Sequence, residues 1–130
     1  MKAVRIHAHG GPTALQVDDI PRPRSGRAEV LVRVAAAGVN PVDVKHRERT
    51  ADSLPQIAGS DPAGTVVAVS AHVDEYEPGD RVFRTALHNN AVPTGSFAEY
   101  VAVPTDLVAR LDDRVDAVSG AALALVGVTA

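Results

Sequence analysis

Histidine is the residue type in this sequence most able to bind a metal ion, and its spacing does not favour a site. Histidines stand at positions 7, 9, 46, 72 and 88, and no two are four positions apart, as two ligands on one helix face would be. His7 and His9 would share one face of a strand, but two ligands alone make a weak site. There is no cysteine, which excludes disulfides and every zinc site that needs thiolates. We therefore expect no bound metal.

Two serines and one glycine pair could belong to a nucleophile or to a phosphate-binding loop. Ser60 in AGSDPAG and Ser96 in TGSFAEY both follow a glycine, but neither lies in a G-x-S-x-G pattern. We interpret them as turn serines whose hydroxyls bond to the backbone. Gly59 and Gly64 are separated by four residues, yet Thr65 and Val66 follow instead of Lys and Ser or Thr, and no G-x-G-x-x-G occurs. The chain therefore carries no recognisable dinucleotide site.

Asn40, Asp43 and Asp61 are the remaining polar candidates. Asn40 follows a strand and a glycine, so its amide could cap a helix or reach into a cleft, and spacing alone favours the cap. Asp43 would lie in the first turn of that helix, where a carboxylate interacts favourably with the helix dipole. Asp61 lies between Gly59 and Pro62, a setting typical of an Asx-turn.

Short strands with proline and glycine between them must position these residues. Valine and other β-branched residues alternate most clearly at 30, 32 and 34. Asn40, followed by Pro41, begins a short helix, and Gly79 provides a positive φ in a turn at 77–80. The predicted strands span 1–7, 15–20, 29–36, 65–71, 81–85, 96–103 and 107–111. Five to seven such strands predict a small barrel or a partly open sandwich.

The last fifteen residues, DAVSGAALALVGVTA, differ in character from the rest. They predict a helix with Asp116 or Ser119 as N-cap and with apolar residues on nearly every side. Such a helix needs burial on all faces. Because no C-cap or charged last turn follows, we expect either an interrupted protein or a helix that awaits another chain.

The amino-acid composition and net charge of the chain limit the classes of function that it could have. The chain has 130 residues, 13 Lys and Arg against 16 Asp and Glu, and a net charge of −3. We expect neither nucleic acid nor a membrane surface as a partner, because there is no basic surplus. No apolar run approaches the roughly 20 residues that span a bilayer, and the first residues lack the apolar core of a signal peptide. The expected location is the cytoplasm.

Several segments, taken in order, resemble one family over essentially all of the chain. The opening residues through GVNPVDVKHR, then PQIAGSDPAGTVVAV, EPGDRVF, GSFAEYVAVP and the final helix are similar to medium-chain dehydrogenase/reductases. The resemblance is strongest to the zinc-free quinone oxidoreductase branch related to zeta-crystallin. It implies a mainly β fold, a GroES-like partly open barrel with short helices. Residues 1–114 would be the substrate-side domain, and 115–130 would begin the helix that leads to a missing nucleotide-binding Rossmann domain.

The resemblance also implies roles for particular residues. Zinc-dependent members carry a cysteine at position 40, a His–Glu pair at 60 and 61 and a four-cysteine lobe, none of which is present here. It therefore implies no zinc, with NADPH as the cofactor and a quinone or enone as the hydride acceptor. Asn40 would face the cleft near the nicotinamide and the substrate, with Thr129 nearby. Lys45, where a tyrosine is frequent, and Arg47 would also lie at the cleft. A further set of residues is expected mainly to determine the shape of the backbone: Asp43, Gly59, Asp61, Gly64, Gly79 and Asp80.

The chain is shorter than these family members, which continue into a parallel α/β domain with a glycine-rich phosphate loop. We therefore expect the isolated chain to be inactive. Two alternatives remain open. One is a stand-alone, non-enzymatic GroES-like module that pairs through the helix at 117–130, in a dimer or with another domain. The other is a fragment of an enoyl reductase of the same superfamily, because the barrel alone barely separates these activities.

Overall fold

A strand of alternating valines lies at the centre of the fold. The computed structural model describes residues 1–51, 53–84 and 95–130. Within them, the strand Glu29–Gly38 pairs with neighbours on both of its edges. Its buried residues Val30 and Val32 pack with a cluster that also contains Val66, Val73, Val82, Val101 and Val103. Each such burial contributes about 1.5–3 kcal/mol to the stability of the fold.

The described residues form eight strands in two antiparallel sheets. Their bounds are β1 (Lys2–Ile6), β2 (Leu15–Asp19), β3 (Glu29–Gly38), β4 (Gln56–Ile57), β5 (Asp61–Val69), β6 (Arg81–Arg84), β7 (Tyr100–Pro104) and β8 (Val108–Arg110). One sheet has the order β2-β1-β4 and the other the order β7-β3-β5-β6-β8. Short 3₁₀ turns lie at Pro12–Ala14 and Thr105–Leu107. The second sheet curls into half a barrel, so the predicted partly open, mainly β GroES-like barrel is confirmed.

Residues 96–99 join the two sheets. Val4 of β1 donates its N–H to the carbonyl of Phe97 at 2.7 Å, and Ala3 forms an isolated bridge with Ala98. On the other side, Val34 of β3 donates to the carbonyl of Glu99 at 2.9 Å. These bonds fix the first strand against the half-barrel.

Two α-helices flank the end of β3. Helix α1 spans Pro41–Lys45 with Asn40 at its N-cap, and a π-helical turn, His46–Thr50, follows it. Helix α2 spans Ala117–Thr129, and its N-cap is Asp116, whose carboxylate accepts the Ser119 N–H at 2.7 Å. Of the two predicted N-caps for the last helix, Asp116 is therefore the one used.

Helix α2 is buried on one face only, whereas its apolar sequence predicts a helix that needs burial on every face. Gly120, Ala121, Ala124 and Leu125 are buried against the barrel. Four larger apolar side chains of the helix are exposed, Val118, Leu123, Val126 and Val128, the first two at 69% and 63%. Among the helices in the described ranges, none combines the length and the apolar character that crossing a bilayer requires.

Several predicted strand bounds were wrong. Strand β5 begins at Asp61, four residues before the predicted start, because the backbone of Asp61, Pro62 and Ala63 pairs with β3 despite the proline. A register shift between Val34 and Ala36 accommodates that segment. The predicted strand 96–103 begins only at Tyr100, because residues 96–99 are occupied in joining the sheets. The predicted strand 107–111 is three residues long. Thr85, the end of another predicted strand, and His88 lie outside the described residues.

Candidate functional site

The polar candidates converge where β3, α1, β5 and α2 meet. Asn40 leaves β3 as the N-cap of α1, and Asp61 begins β5 beside it. The side-chain Nδ2 of Asn40 donates to Oδ2 of Asp61 at 2.8 Å. Asp61 is 1% exposed and belongs to a strand, so the Asx-turn interpretation of this residue was wrong.

Asp43 binds the same segment from inside α1. Its Oδ2 accepts the backbone N–H of Asn40 at 2.7 Å, which satisfies a donor left unpaired at the helix start. Its Oδ1 accepts the hydroxyl of Ser60 at 3.1 Å. Asp43 therefore ties α1 to the residue before β5.

The prediction that both glycine-adjacent serines bond to the backbone through their hydroxyls was wrong. Ser60 instead donates its hydroxyl to the Asp43 side chain of α1. The Ser96 hydroxyl is buried with no partner among the described residues. Among the described residues, no hydrogen bond joins either serine to a histidine, so this part of the chain supports no serine nucleophile.

Arg84 completes this cluster, and sequence reasoning missed it. It ends β6, is 1% exposed, and donates from Nε and Nη2 to the carbonyl oxygen of Ser60 at 2.8 and 2.5 Å. Burial lowers the pKa of its guanidinium to about 10, while the charges of Asp61 and Asp43 oppose that shift. The sequence did contain a signal for this residue. Arg84 lies two positions after Val82 on the same strand, so both side chains point to the same face of the sheet, and Val82 points into the core.

Burial raises the pKa of the Asp61 carboxyl above its usual value. Hydrogen bonds from Asn40 and from the Leu125 backbone lower it, as does the charge of Arg84, whereas the charge of Asp43 raises it further. Oδ1 of Asp61 has no hydrogen-bond partner among the described residues. The site thus contains two carboxylates and one guanidinium in a largely dry setting.

A cleft of about 280 Å³ opens beside this cluster, between α1 and the end of α2. Asn40, Pro41 and Val42 line one wall, and Leu125, Val126 and Thr129 line the other. The Thr129 hydroxyl donates to the Leu125 carbonyl at 2.9 Å. The structure therefore brings Asn40 and Thr129 to one cleft, with apolar side chains between an amide and a hydroxyl.

The other two residues predicted at the cleft lie away from it. Lys45 is exposed at the end of α1, and Arg47 donates from Nε to the carbonyl of Gly10 at 2.9 Å and pairs with Glu48 at 3.4 Å. Neither lines the cleft within the part of the chain that is described. Their predicted roles remain predictions.

The residues assigned to shape occupy turns and close approaches. Gly59 has a φ of +93°, and a Cβ there would lie 2.5 Å from the Ser96 hydroxyl. A Cβ on Gly64 would meet the carbonyl of Arg33. Gly79 has a φ of +102°, and the next residue, Asp80, accepts the Glu77 N–H at 3.0 Å and pairs with Arg110 at 2.7 Å.

The donors at this site do not suit a zinc ion held by thiolate and imidazole. The Asn40 amide and the Ser60 hydroxyl are weak, neutral ligands, and each is engaged with a carboxylate. No group of three or more histidine or acidic side chains in the described ranges could hold a metal. His7 instead bonds to Asp18 at 2.7 Å, and His9 bonds to the Ala51 carbonyl at 2.8 Å.

The chain is similar in sequence to known proteins over most of its length. Residues 26–113 match the alcohol dehydrogenase GroES-like domain. The quinone oxidoreductase of Sus scrofa is 37% identical over 131 residues, which cover 96% of this chain and 38% of that protein. The chain thus spans 38% of the length of this curated relative.

Two solved structures extend the likeness to three dimensions. The quinone oxidoreductase of Pseudomonas syringae pv. Tomato DC3000 aligns with a TM-score of 0.90 at 32% identity, over 98% of this chain and 38% of that one. The Escherichia coli quinone oxidoreductase complexed with NADPH aligns with a TM-score of 0.83 at 27% identity, over 93% of this chain and 36% of that one. With a matched domain that covers more than half of its residues, this chain belongs to the alcohol dehydrogenase GroES-like domain family of the medium-chain dehydrogenase/reductase superfamily.

Proposed function

We propose that this chain is the substrate-side domain of a zinc-independent, NADPH-dependent oxidoreductase that reduces quinone or enone acceptors by hydride transfer. The observation that carries the proposal is the cleft between Asn40 and Thr129, in a chain similar to quinone oxidoreductases. Residues 1–114 would form the substrate side, and 115–130 would begin the helix towards a nucleotide-binding domain. The cytoplasm remains the proposed compartment, on the sequence alone.

Independence from zinc is supported by what occupies the polar end of the cleft. The Asn40 amide donates to the carboxylate of Asp61, and the carboxylate of Asp43 accepts the Ser60 hydroxyl. Quinones and enones are already electrophilic, so their reduction depends less on Lewis-acid polarisation than the oxidation of an alcohol does. An amide at position 40 can orient an acceptor by hydrogen bonding without a metal.

The cleft residues fit a reduced nicotinamide in chemical type. Leu125 and Val126 offer an apolar wall for a flat ring, and Asn40 and Thr129 offer polar groups at its edge. When bound, the nicotinamide supplies the hydride. The choice of NADPH is supported by the Escherichia coli structure, which was solved with it. Because the sequence contains no dinucleotide fingerprint, we expect residues 1–130 alone to be inactive.

A second candidate is a non-enzymatic interaction module, and one observation favours it. Helix α2 exposes Leu123 and Val128, which would be covered in a dimer or by another domain. Sedimentation of the chain with Leu123→Ser would test self-association through α2. Val17→Ser is the matched control, because Val17 is equally exposed on β2, outside α2. A monomeric chain with an ordered α2 would argue against this candidate.

The direct test joins residues 1–130 to the part of the Pseudomonas syringae quinone oxidoreductase that this chain does not cover. NADPH oxidation is then measured with quinones, simple enones and enoyl thioesters, the last to detect an enoyl reductase. We expect quinones or enones to be reduced and thioesters not. Preference for thioesters would favour the enoyl reductase, and no reduction of any acceptor by a folded protein that binds NADPH would refute the proposal.

The role of Asn40 needs two variants, because this residue also begins α1. Asn40→Ala removes the amide and the N-cap together, whereas Asn40→Ser keeps a capping oxygen. We expect both to lower kcat at least about tenfold, a loss of about 1.4 kcal/mol in transition-state stabilisation, with stability reduced mainly in Asn40→Ala. Full activity in the serine variant would discard the role of the amide.

A further inference from the structure

The amide of Asn40 has a fixed polarity. An ionised carboxylate only accepts hydrogen bonds, so the end of the amide that faces Asp61 must be Nδ2, at 2.8 Å from Oδ2. The amide oxygen is then the end that faces the start of α1, where Asn40 and Asp43 form a capping box. If Asp61 gained a proton, its hydroxyl could donate to that oxygen instead, and the amide would have to leave the cap. The ionised form of Asp61 therefore holds the amide with Nδ2 at the carboxylate and the oxygen at the helix start.

We propose that Arg84 is the positioning residue for Asn40: from β6 it holds the Ser60–Asp61 segment in place, and Asp61 in turn holds the Asn40 amide in its orientation. The inference rests on the proposed function only in so far as it makes Asn40 the residue that meets the substrate. Arg84 would act through Asp61 and would not touch the substrate itself.

The strand pairing explains how Arg84 reaches this segment. Phe83 of β6 pairs with Ala63 of β5, so Arg84 stands one register position further, towards the start of β5. Its Nε and Nη2 both donate to the carbonyl oxygen of Ser60, the residue before Asp61. A guanidinium that is 1% exposed has lost its hydrating water. Such a buried charge is tolerated only where carbonyls and carboxylates take the place of that water. The two bonds and the two nearby carboxylates meet that condition.

Among the described residues, the charges around Asp61 come from two elements. Helix α1 contributes the carboxylate of Asp43, and β6 contributes Arg84. Of the other packed elements, α2 contributes the Leu125 backbone N–H and β3 contributes Gly38, which has no side chain. Without Arg84, two carboxylates would face each other in a dry site. The pKa of Asp61, already raised by burial, would then rise further.

The test follows two signals against pH by NMR in the full-length chain labelled at asparagine and aspartate. The signals are the side-chain NH₂ pair of Asn40 and the carboxyl carbon of Asp61. The variants are Arg84→Gln, which removes the positive charge, and Arg84→Lys, which keeps a positive charge at this position. The control is Arg81→Gln, because Arg81 lies on the same strand but donates to the carbonyls of Asp112 and Val115.

We expect the Asn40 signals to change with the same midpoint as Asp61 in the wild type. Arg84→Gln should raise that midpoint by about one pH unit or more, Arg84→Lys should return it towards the wild type, and Arg81→Gln should leave it unchanged. The inference is overturned if Asn40 does not follow Asp61, or if Arg84→Gln and Arg81→Gln share the wild-type midpoint.

A further variant covers the case in which Arg84→Gln does not fold. Asp61→Asn keeps the size of the side chain and removes its titration, so the pH-dependent change of the Asn40 signals should disappear. Its persistence would overturn the inference. Because these signals need no turnover, the result is separate from the proposed function. A joined protein that reduces no acceptor but shows the expected midpoints refutes only the proposed function, and an active one without them refutes only the inference.

Discussion

The backbone of Gly38 lies against the carbonyl oxygen of Ala121, so closely that a Cβ at position 38 would be 2.7 Å from it. The same Cβ would lie 3.1 Å from Oδ2 of Asp61. Gly38 ends β3, two residues before Asn40. The absence of a side chain there allows α2, β5 and the start of α1 to meet at one point, which is where the candidate site lies.

Gly38→Ala should therefore reduce the stability of the fold. The added methyl has backbone on one side and the carboxylate of Asp61 on the other, and we expect a loss of about 1–3 kcal/mol in the free energy of unfolding. Urea denaturation measures it. Gly127→Ala is the matched control, since nothing lies within 4 Å of its added Cβ. That helical substitution should be neutral or stabilising by up to about 1 kcal/mol. An unchanged Gly38→Ala protein would contradict the close approach.

The N-cap of α2 gives an expected pH dependence. The Ser119 backbone N–H lowers the pKa of the Asp116 carboxyl below its usual value of 3.8. A carboxyl whose pKa is lowered by folding stabilises the fold above its unfolded pKa and loses that effect as the pH falls through the folded one. Thermal unfolding should thus separate the wild type from Asp116→Ala at neutral pH, with a difference that shrinks from about pH 5 to about pH 2.

Asp113→Ala is the control for that measurement. Asp113 is exposed and close in sequence, but it does not begin the helix. We expect its effect on unfolding to be smaller than that of Asp116→Ala at neutral pH. Equal effects, or a difference for Asp116→Ala that grows on acidification, would contradict the cap.

Metal chelation tests the proposed independence from zinc. The polar end of the cleft presents an amide and a hydroxyl, each already bonded to a carboxylate. We expect the joined protein to keep its reductase activity after treatment with a strong chelator, and calorimetry with Zn²⁺ to detect no tight binding. Loss of activity on chelation that added zinc restores would overturn this part of the proposal.

The centre of the fold was predictable from sequence because its signal is local. Val30, Val32 and Val34 alternate, and the strand that contains them lies inside the larger sheet, between β7 and β5. The start of α1 was equally readable, since Asn40, Pro41 and Asp43 each suit their position in a helix start.

The bonds inside the site were not predictable, because they depend on strand pairing. Asp61 looked like a turn residue beside Gly59 and Pro62, yet β3 recruits it into a strand and Asn40 approaches it from 21 positions away. Sequence reasoning did not single out Arg84, which is buried and reaches Ser60. Alternation with Val82 indicates that the Arg84 side chain points inward, but only the tertiary fold shows that it meets the carbonyl of Ser60.

We propose that residues 1–130 supply one side of a cleft whose cofactor is held from elsewhere. The measurement is NADPH binding and quinone-dependent NADPH oxidation by residues 1–130 alone, beside the same residues joined to the remaining part of the Pseudomonas syringae quinone oxidoreductase. We expect neither binding nor turnover in the first sample and both in the second. Tight binding of NADPH and turnover by residues 1–130 alone would contradict the claim.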